Sequence, residues 1–280
     1  MEILKPRIVF GNLISSLGGF FLASKGDISY NLLFLNLISI SLIVSASCIF
    51  NNIIDYKIDK HMNRTKKRIL VTHPSFYSFS IFSAIFLGVL GLFLFGFFVN
   101  LLCMILAFCG FMIYVLFYSI ILKTRSIYST IVGSVSGAIP PVLGYCSVVN
   151  HINLCSVNLF LILFFWQIPH SYSIFIMHFN DYKNANIPVY PIIKPFFFTK
   201  RCVNVFIILF LISICFFTII GCTGYKFLLI LLFFSITWLY FSCKKYRYDK
   251  NNILWSKNVF YHSIFVMLIL NFMMSIDFEC

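Results

Sequence analysis

Residues 51–68 read NNIIDYKIDKHMNRTKKR (Asn51 to Arg68), the most polar stretch of an otherwise apolar chain. The stretch carries two of the eight acidic residues and six of the 21 Lys and Arg residues, and lies between two long apolar segments. Asn51, Asp55 and Asp59 recur at every fourth position. If the preceding apolar helix continues through them, all three project from one face about one turn apart. Like charges at that spacing repel, and carboxylates near a helix C-terminus oppose the macrodipole. Lys60, Arg64 and Arg68 repeat the spacing as a second stripe, of cations. Two readings fit. One is a solvated loop whose charges set membrane topology. The other is a site where a cation neutralises the carboxylates. Mg²⁺ suits it, because one or two carboxylates hold that ion while water and substrate phosphate complete its octahedron.

Around this stretch the composition is that of a membrane protein. Apolar residues make up 61% of the chain and charged residues 10%. Uncharged runs of about 20 residues recur, long enough to cross a hydrocarbon core of roughly 30 Å. The expected fold class is all-α, a polytopic helical bundle in the lipid bilayer. No cleavable signal peptide is expected: the apolar run after Lys5 and Arg7 holds Asn12 and several Ser and Gly, without a cleavage site. The ten cysteines are scattered, with no C-x-x-C and no Cys/His cluster at zinc spacing, so neither a disulfide nor a zinc function is expected.

Nine spans are predicted, at about 8–24, 31–52, 76–98, 101–122, 128–149, 154–176, 203–221, 226–243 and 257–275. With the N-terminus inside, 19 of the 21 Lys and Arg residues fall on inside segments, among them Lys245, Arg247 and Lys250; Lys25 and Lys226 do not. The positive-inside rule then puts the N-terminus in the cytoplasm and Cys280 outside. This distribution argues against nucleic acid as the reason for the net charge of +13. The inside connections after the second and sixth spans are long, and long loops are commonly functional. Their spacing predicts two four-helix half-repeats plus a ninth helix within a single domain, 1–280.

The second long loop opens with WQIPHSYSIFIMHFNDYKNANIPVYP (Trp166 to Pro191). Pro169 is expected to kink or interrupt the sixth span, with His170 near the break and the helix ending around Asn180 and Asp181. Pro188 and Pro191 mark an extended, ordered segment. Asp181, the one acid of this loop, is a third carboxylate expected to face Asp55 and Asp59 across a central cavity. In GSVSGAIPPVLGY (Gly133 to Tyr145), Gly133 and Gly137 permit close helix approach. Pro140 and Pro141 break the fifth span at a depth where protein or a cavity must cover the freed backbone. Lys123 and Arg125, at the inner mouth of spans four and five, serve either topology or diphosphate binding. Gly18, Gly19, Ser15 and Ser16 suit a tightly packed first helix. His61, His73, His151 and His262 have no partner at a telling spacing and read as structural.

The set of motifs resembles the UbiA-type intramembrane prenyltransferases, whose first diphosphate motif is N-x-x-x-D-x-x-x-D followed by R-T-K-x-R. Within that superfamily it is similar to the protohaem IX farnesyltransferase (haem O synthase) family. The matching stretches are KPRIVFGN (Lys5 to Asn12), Asn51 to Arg68, YSIILKTRSIYSTIVGSVSGAIPPVLGY, WQIPHSYSI with HFNDYKNANIPVYP, and MMSIDF (Met273 to Phe278). They run nearly end to end, and D-Y-x-x-A-x-I-P at Asp181 to Pro188 is the most discriminating. The resemblance implies a helical bundle around a central cavity open to lipid. It also implies Mg²⁺-dependent transfer of a farnesyl group from farnesyl diphosphate to a vinyl carbon of haem B, in a bacterial inner membrane. Carried over, Asp55, Asp59 and Asp181 hold the metal, and Asn51 orients a carboxylate or binds the metal directly. Arg64, Lys66, Arg68, Lys123 and Lys183 bind the diphosphate. His170 contacts haem as an iron ligand or through a propionate, or is a structural histidine. The chain departs from the family at Lys67 and Ile69, where Asn and Pro are usual. Thr124 separates Lys123 from Arg125, and Ala185 stands where relatives place a second acid. The rival readings are a UbiA-type enzyme acting on another aromatic or tetrapyrrole ring, a secondary transporter, and a structural subunit. Transporters place their ionisable groups near the bilayer midplane, whereas these acids lie at helix ends.

Overall fold

The computed structural model describes residues 2–244 and 251–278; Lys245, Arg247, Lys250 and Cys280 lie outside the described residues. Among the described residues, nine helices are long and apolar enough to cross a membrane. They are α1 (Pro6–Ser24), α2 (Tyr30–Asp59), α3 (Pro74–Val99), α4 (Leu101–Leu122), α5 (Ser129–Val149), α6 (Leu154–Met177), α7 (Phe196–Ile219), α8 (Tyr225–Cys243) and α9 (Asn252–Met274). Each predicted span has its helix, and the chain is a polytopic membrane protein. The largest boundary differences are at the loop ends. Helix α2 runs on to Asp59 and α7 begins at Phe196, because a polar turn at a membrane surface can stay helical beyond the apolar run that marks the span.

Lipid supplies no hydrophobic drive between helices, so close packing and interhelical hydrogen bonds hold them together. Helix α1 lies directly against the second half of α5. A Cβ on Gly19 would sit 2.0 Å from the Pro141 carbonyl oxygen, and one on Gly144 would sit 2.0 Å from the Ser16 carbonyl oxygen. These approaches need glycine on both helices, as expected for Gly19. Buried amides cross-link other pairs: Asn36 donates to Ser16 Oγ at 2.9 Å, and Asn158 to the Ser213 carbonyl at 2.8 Å. Gly137 packs under the Gln167 amide and Gly133 under the Tyr118 ring, so both serve packing.

Helix α5 breaks at Ala138, with Ser129–Gly137 before and Ile139–Val149 after. Pro140 and Pro141 thus open a new helix, where a missing N–H costs least. The interruption expected at Pro169 does not occur. Pro169 lies buried inside an unbroken α6, since packed membrane helices tolerate one lost backbone bond. A second correction concerns Lys60, Arg64 and Arg68. The chain leaves the helix after Asp59, so these cations form no helical stripe; Lys60 turns back over the Tyr56 ring, 4.3 Å from its centroid.

A third correction is covalent. Cys155, opening α6, and Cys222, between α7 and α8, form a disulfide with Cα atoms 5.9 Å apart. Their sequence separation of 67 residues hides the pairing from any spacing rule. Beside it the C-terminal segment closes the same face. The Asp277 carboxylate accepts from the Phe227 N–H at 2.5 Å, and the Asp277 carbonyl accepts from the Gly224 N–H at 3.3 Å. Gly224, the residue before α8, has no side chain to cap the helix, so Asp277 supplies the anion from elsewhere in the chain. The Asp277 carboxylate lies 2.7 Å from where a Gly224 Cβ would be.

Asp277→Ala should therefore lower stability by about 0.5–2 kcal/mol, and Gly224→Ala should do so by displacing the same carboxylate. Thermal unfolding in detergent tests this; unchanged melting of both variants would remove the cap from the account of MMSIDF.

Candidate active site

The C-terminal turns of α2 deliver the first motif. Asn51, Asp55 and Asp59 all lie on the continuous helix and are all buried. A carboxylate there must be paired or hydrogen-bonded to remain ionised. Each has a cation. Lys123 Nζ, just past α4, contacts Asp55 Oδ2. Arg68 Nη1 reaches back across the loop to Asp59 Oδ2 at 2.6 Å. The pairing is incomplete: Asp55 Oδ1 is buried and has no hydrogen-bond partner. A bare carboxylate oxygen in this setting is an unmet demand for a donor or a metal ion.

The third cation arrives from the N-terminus. Lys5 Nζ donates to Asn51 Oδ1 at 2.5 Å, while Asn51 Nδ2 donates to Ser119 Oγ at 3.4 Å. Lys5 sits in the left-handed region, φ 48° and ψ 64°, directly before α1. That backbone is rare and costly for a side chain with a Cβ, and such residues gather at functional sites. Burial, then the nearby Arg68 charge, pushes the Lys5 amine down to about 8. The last ten residues of α4, Ile113–Leu122, wind as a π-helix, and the Lys123 N–H bonds the Tyr118 carbonyl five residues back. Wider winding of this kind marks functional segments, and here it brings Ser119 to Asn51 and Lys123 to Asp55.

The second loop meets the first. Asp181 Oδ1 accepts from the Asn63 N–H at 3.1 Å, and Arg64 Nη2 donates to Tyr182 Oη at 3.4 Å. Burial pushes the Tyr182 hydroxyl up. Ile187, Val189 and Pro191 are buried beneath the segment, so it is ordered, as its prolines suggest. A cavity of about 670 Å³ opens beside it, lined in part by Met177, His178, Asp181, Ile192, Lys194 and Phe196.

The site residues named from sequence are thus brought together unequally. Asn51, Asp55 and Asp59 gather at the end of α2, with Lys123 on Asp55 and Arg68 on Asp59. Asp181 and Arg64 join the two loops. Lys66 bonds Asn63 Oδ1 at 2.9 Å, and Lys183 and Arg125 are exposed. No three acidic, histidine or cysteine side chains converge at metal-binding distance among the described residues. His170 lies two turns inside α6, stacked between Trp166 and Phe260. Sequence reasoning missed Lys5 and Ser119. Lys5 stands at the head of the quoted KPRIVFGN and counted only towards topology; Ser119 sits in an apolar run with nothing to mark it.

The chain belongs to the UbiA prenyltransferase family, whose model matches residues 12–264. It is 47% identical to the protoheme IX farnesyltransferase of Buchnera aphidicola subsp. Baizongia pistaciae, over 99% of this chain and 96% of that protein. Its fold is similar to a structure of digeranylgeranylglyceryl phosphate synthase, with TM-score 0.80 at 17% identity, covering 98% of this chain and 96% of that one. It is also similar to a UbiA homologue from Archaeoglobus fulgidus bound to DMAPP and Mg²⁺, with TM-score 0.67 at 14% identity and 98% of each chain covered.

Methyl-labelled lysine NMR on the detergent-solubilised protein should give Lys5 a titration midpoint near pH 8, charged below and neutral above. A midpoint at the ordinary 10.5 would mean that the amine is solvated and not part of the cluster.

Proposed function

We propose that the protein transfers the farnesyl group of farnesyl diphosphate to a vinyl carbon of haem B, giving haem O. The observation that carries this reading is the pair of buried carboxylates at the end of α2, each paired to a cationic side chain, with Asp55 Oδ1 left bare. The near full-length similarity to a protoheme IX farnesyltransferase supports the choice of acceptor.

Asp55, Asp59 and Asp181 are the residues that would hold Mg²⁺, and the bare Asp55 oxygen fits a hard cation with oxygen ligands. When bound, the ion supplies Lewis-acid neutralisation of the diphosphate as the C–O bond breaks. The protein's own cations do the rest. Lys123 and Arg68 turn from the carboxylates to phosphate oxygens, and Arg64, Lys66 and Lys183 extend the same positive rim. Their attraction grows as negative charge collects on the leaving diphosphate, which is the condition for lowering the barrier rather than only binding. Asn51, held by Lys5 and Ser119 one turn before Asp55, would orient a carboxylate or bind the metal directly. Apolar helix surfaces accommodate the isoprenoid and keep water from the allylic cation. The vinyl carbon attacks C1 of the farnesyl group as diphosphate departs, and water adds to the cationic carbon beside the ring and loses a proton, leaving the hydroxyethyl linkage.

On this reading the N-terminus is cytoplasmic and the membrane is a bacterial inner membrane. Two independent features support that orientation. The cations gather on the face of the active-site loops, and the Cys155–Cys222 disulfide closes the opposite face, as suits an oxidising compartment.

Mass analysis of haem extracted after incubation with farnesyl diphosphate should find haem O with Mg²⁺ and only haem B without a divalent ion. Asp55→Asn and Asp59→Asn should each lower the yield by about 10²-fold or more while inserting and unfolding like the wild type. Full activity in both variants would refute the carboxylate assignment.

A further inference from the structure

The surroundings of His170 fix which of its nitrogens is available. Its ring is half-buried and sandwiched on α6. The Trp166 ring lies one turn before it with centroids 4.7 Å apart, and the Phe260 ring of α9 lies on the other side at 4.9 Å. In the ring plane, His170 Nδ1 is 2.8 Å from Ser263 Oγ. Ser263 is fully buried on α9, and its hydroxyl also lies 2.6 Å from the Phe260 carbonyl oxygen. A carbonyl can only accept, and a serine hydroxyl has a single proton to give. That proton is committed to Phe260. Ser263 Oγ therefore meets His170 with lone pairs, and Nδ1 must be the donor. The imidazole is held as the Nδ1–H tautomer, with its free lone pair on Nε2.

The clamp is reinforced from the other side of the same residue. Trp166 Nε1 donates to the Ser263 carbonyl at 2.7 Å, so the stacking partner of His170 and its hydrogen-bond partner are tied to each other. His170 Nε2 makes no hydrogen bond among the described residues. A histidine that bound a haem propionate would need a proton on Nε2. An imidazole with Nδ1–H bonded to the protein and Nε2 bare is instead the arrangement that ligates a metal.

We propose that Ser263 is a positioning residue that holds His170 so that Nε2 is the axial ligand of the iron in the acceptor haem. The inference rests on haem being the acceptor and adds how the protein grips it. Anchoring the iron from α6 would fix the plane of the macrocycle, and hence which edge faces the diphosphate end of the bundle.

The test is titration of haem B into the purified full-length protein without farnesyl diphosphate, followed by absorption and by the iron–histidine stretch of the ferrous form. The wild type should show imidazole ligation. His170→Ala should lose it and regain it with added imidazole. Ser263→Ala should weaken haem binding by about 10-fold or more, and Ser263→Thr, which keeps the hydroxyl, should restore it. Histidine ¹⁵N NMR of the haem-free wild type should find His170 protonated on Nδ1, a readout that does not depend on any variant folding. Proton density on Nε2, or a Ser263→Ala protein that binds haem like the wild type, would overturn the role of Ser263. A His170→Ala protein with unchanged ligation would overturn the iron contact. Haem O formation measured in parallel separates both outcomes from failure of the farnesyl-transfer reading.

Discussion

Two carboxylates buried at the end of a membrane helix are the constraint on which the rest of this molecule depends. An isolated charge in that position is too costly to keep, and breaking a buried pair leaves its partner uncompensated. Asp55 and Asp59 therefore require cations, and those come from segments distant in sequence. Lys123 brings α4 to α2, and Arg68 folds the loop after α2 back onto its own helix. The Asp181 loop is drawn in by the Asn63 N–H. Neutralising two acids thus assembles the face on which diphosphate chemistry can take place. Among the described residues each carboxylate is ion-paired to one side chain, so on the proposed reading an anionic substrate with its metal would take over both halves of each pair.

The two faces of the bundle are built differently. Away from the acids, the Cys155–Cys222 disulfide and the Asp277 cap on α8 tie α6, the α7–α8 turn and the C-terminal segment together. Between the faces, glycine-to-carbonyl contacts such as Gly19 on Pro141 and Gly144 on Ser16 fix α1 against α5. Ion pairs and hydrogen bonds made by side chains, such as Asp55–Lys123, Asp59–Arg68 and Asp181 on the Asn63 N–H, hold the acidic face. On the proposed reading, that division would let the scaffold stay rigid while Lys123, Arg68 and Arg64 change partners.

Much of this was legible in the residues. Apolar run lengths located the nine spanning helices of the described residues, and the four-residue spacing puts Asn51, Asp55 and Asp59 on one face only if the helix runs on, as α2 does. Features that depend on distant partners were not legible. Nothing local says that Lys5 bends onto Asn51, that Ser119 joins them, or that α4 ends as a π-helix. The stripe of Lys60, Arg64 and Arg68 failed because a helix can stop after its last acid and let the cations fold back over it. The interruption expected at Pro169 failed for a related reason: a packed membrane helix absorbs a proline that would end an exposed one. The disulfide joins cysteines that the sequence separates by 67 residues. The role of MMSIDF appeared only once Asp277 was seen on the N-terminus of α8.

The most direct test of the central claim is an experimental structure of the protein with Mg²⁺ and a farnesyl thiodiphosphate that cannot be transferred. The predicted result is that Lys123 and Arg68 have left Asp55 and Asp59 for the diphosphate oxygens and that both carboxylates face the metal ion. Intact Asp55–Lys123 and Asp59–Arg68 pairs, with the diphosphate bound elsewhere, would contradict it.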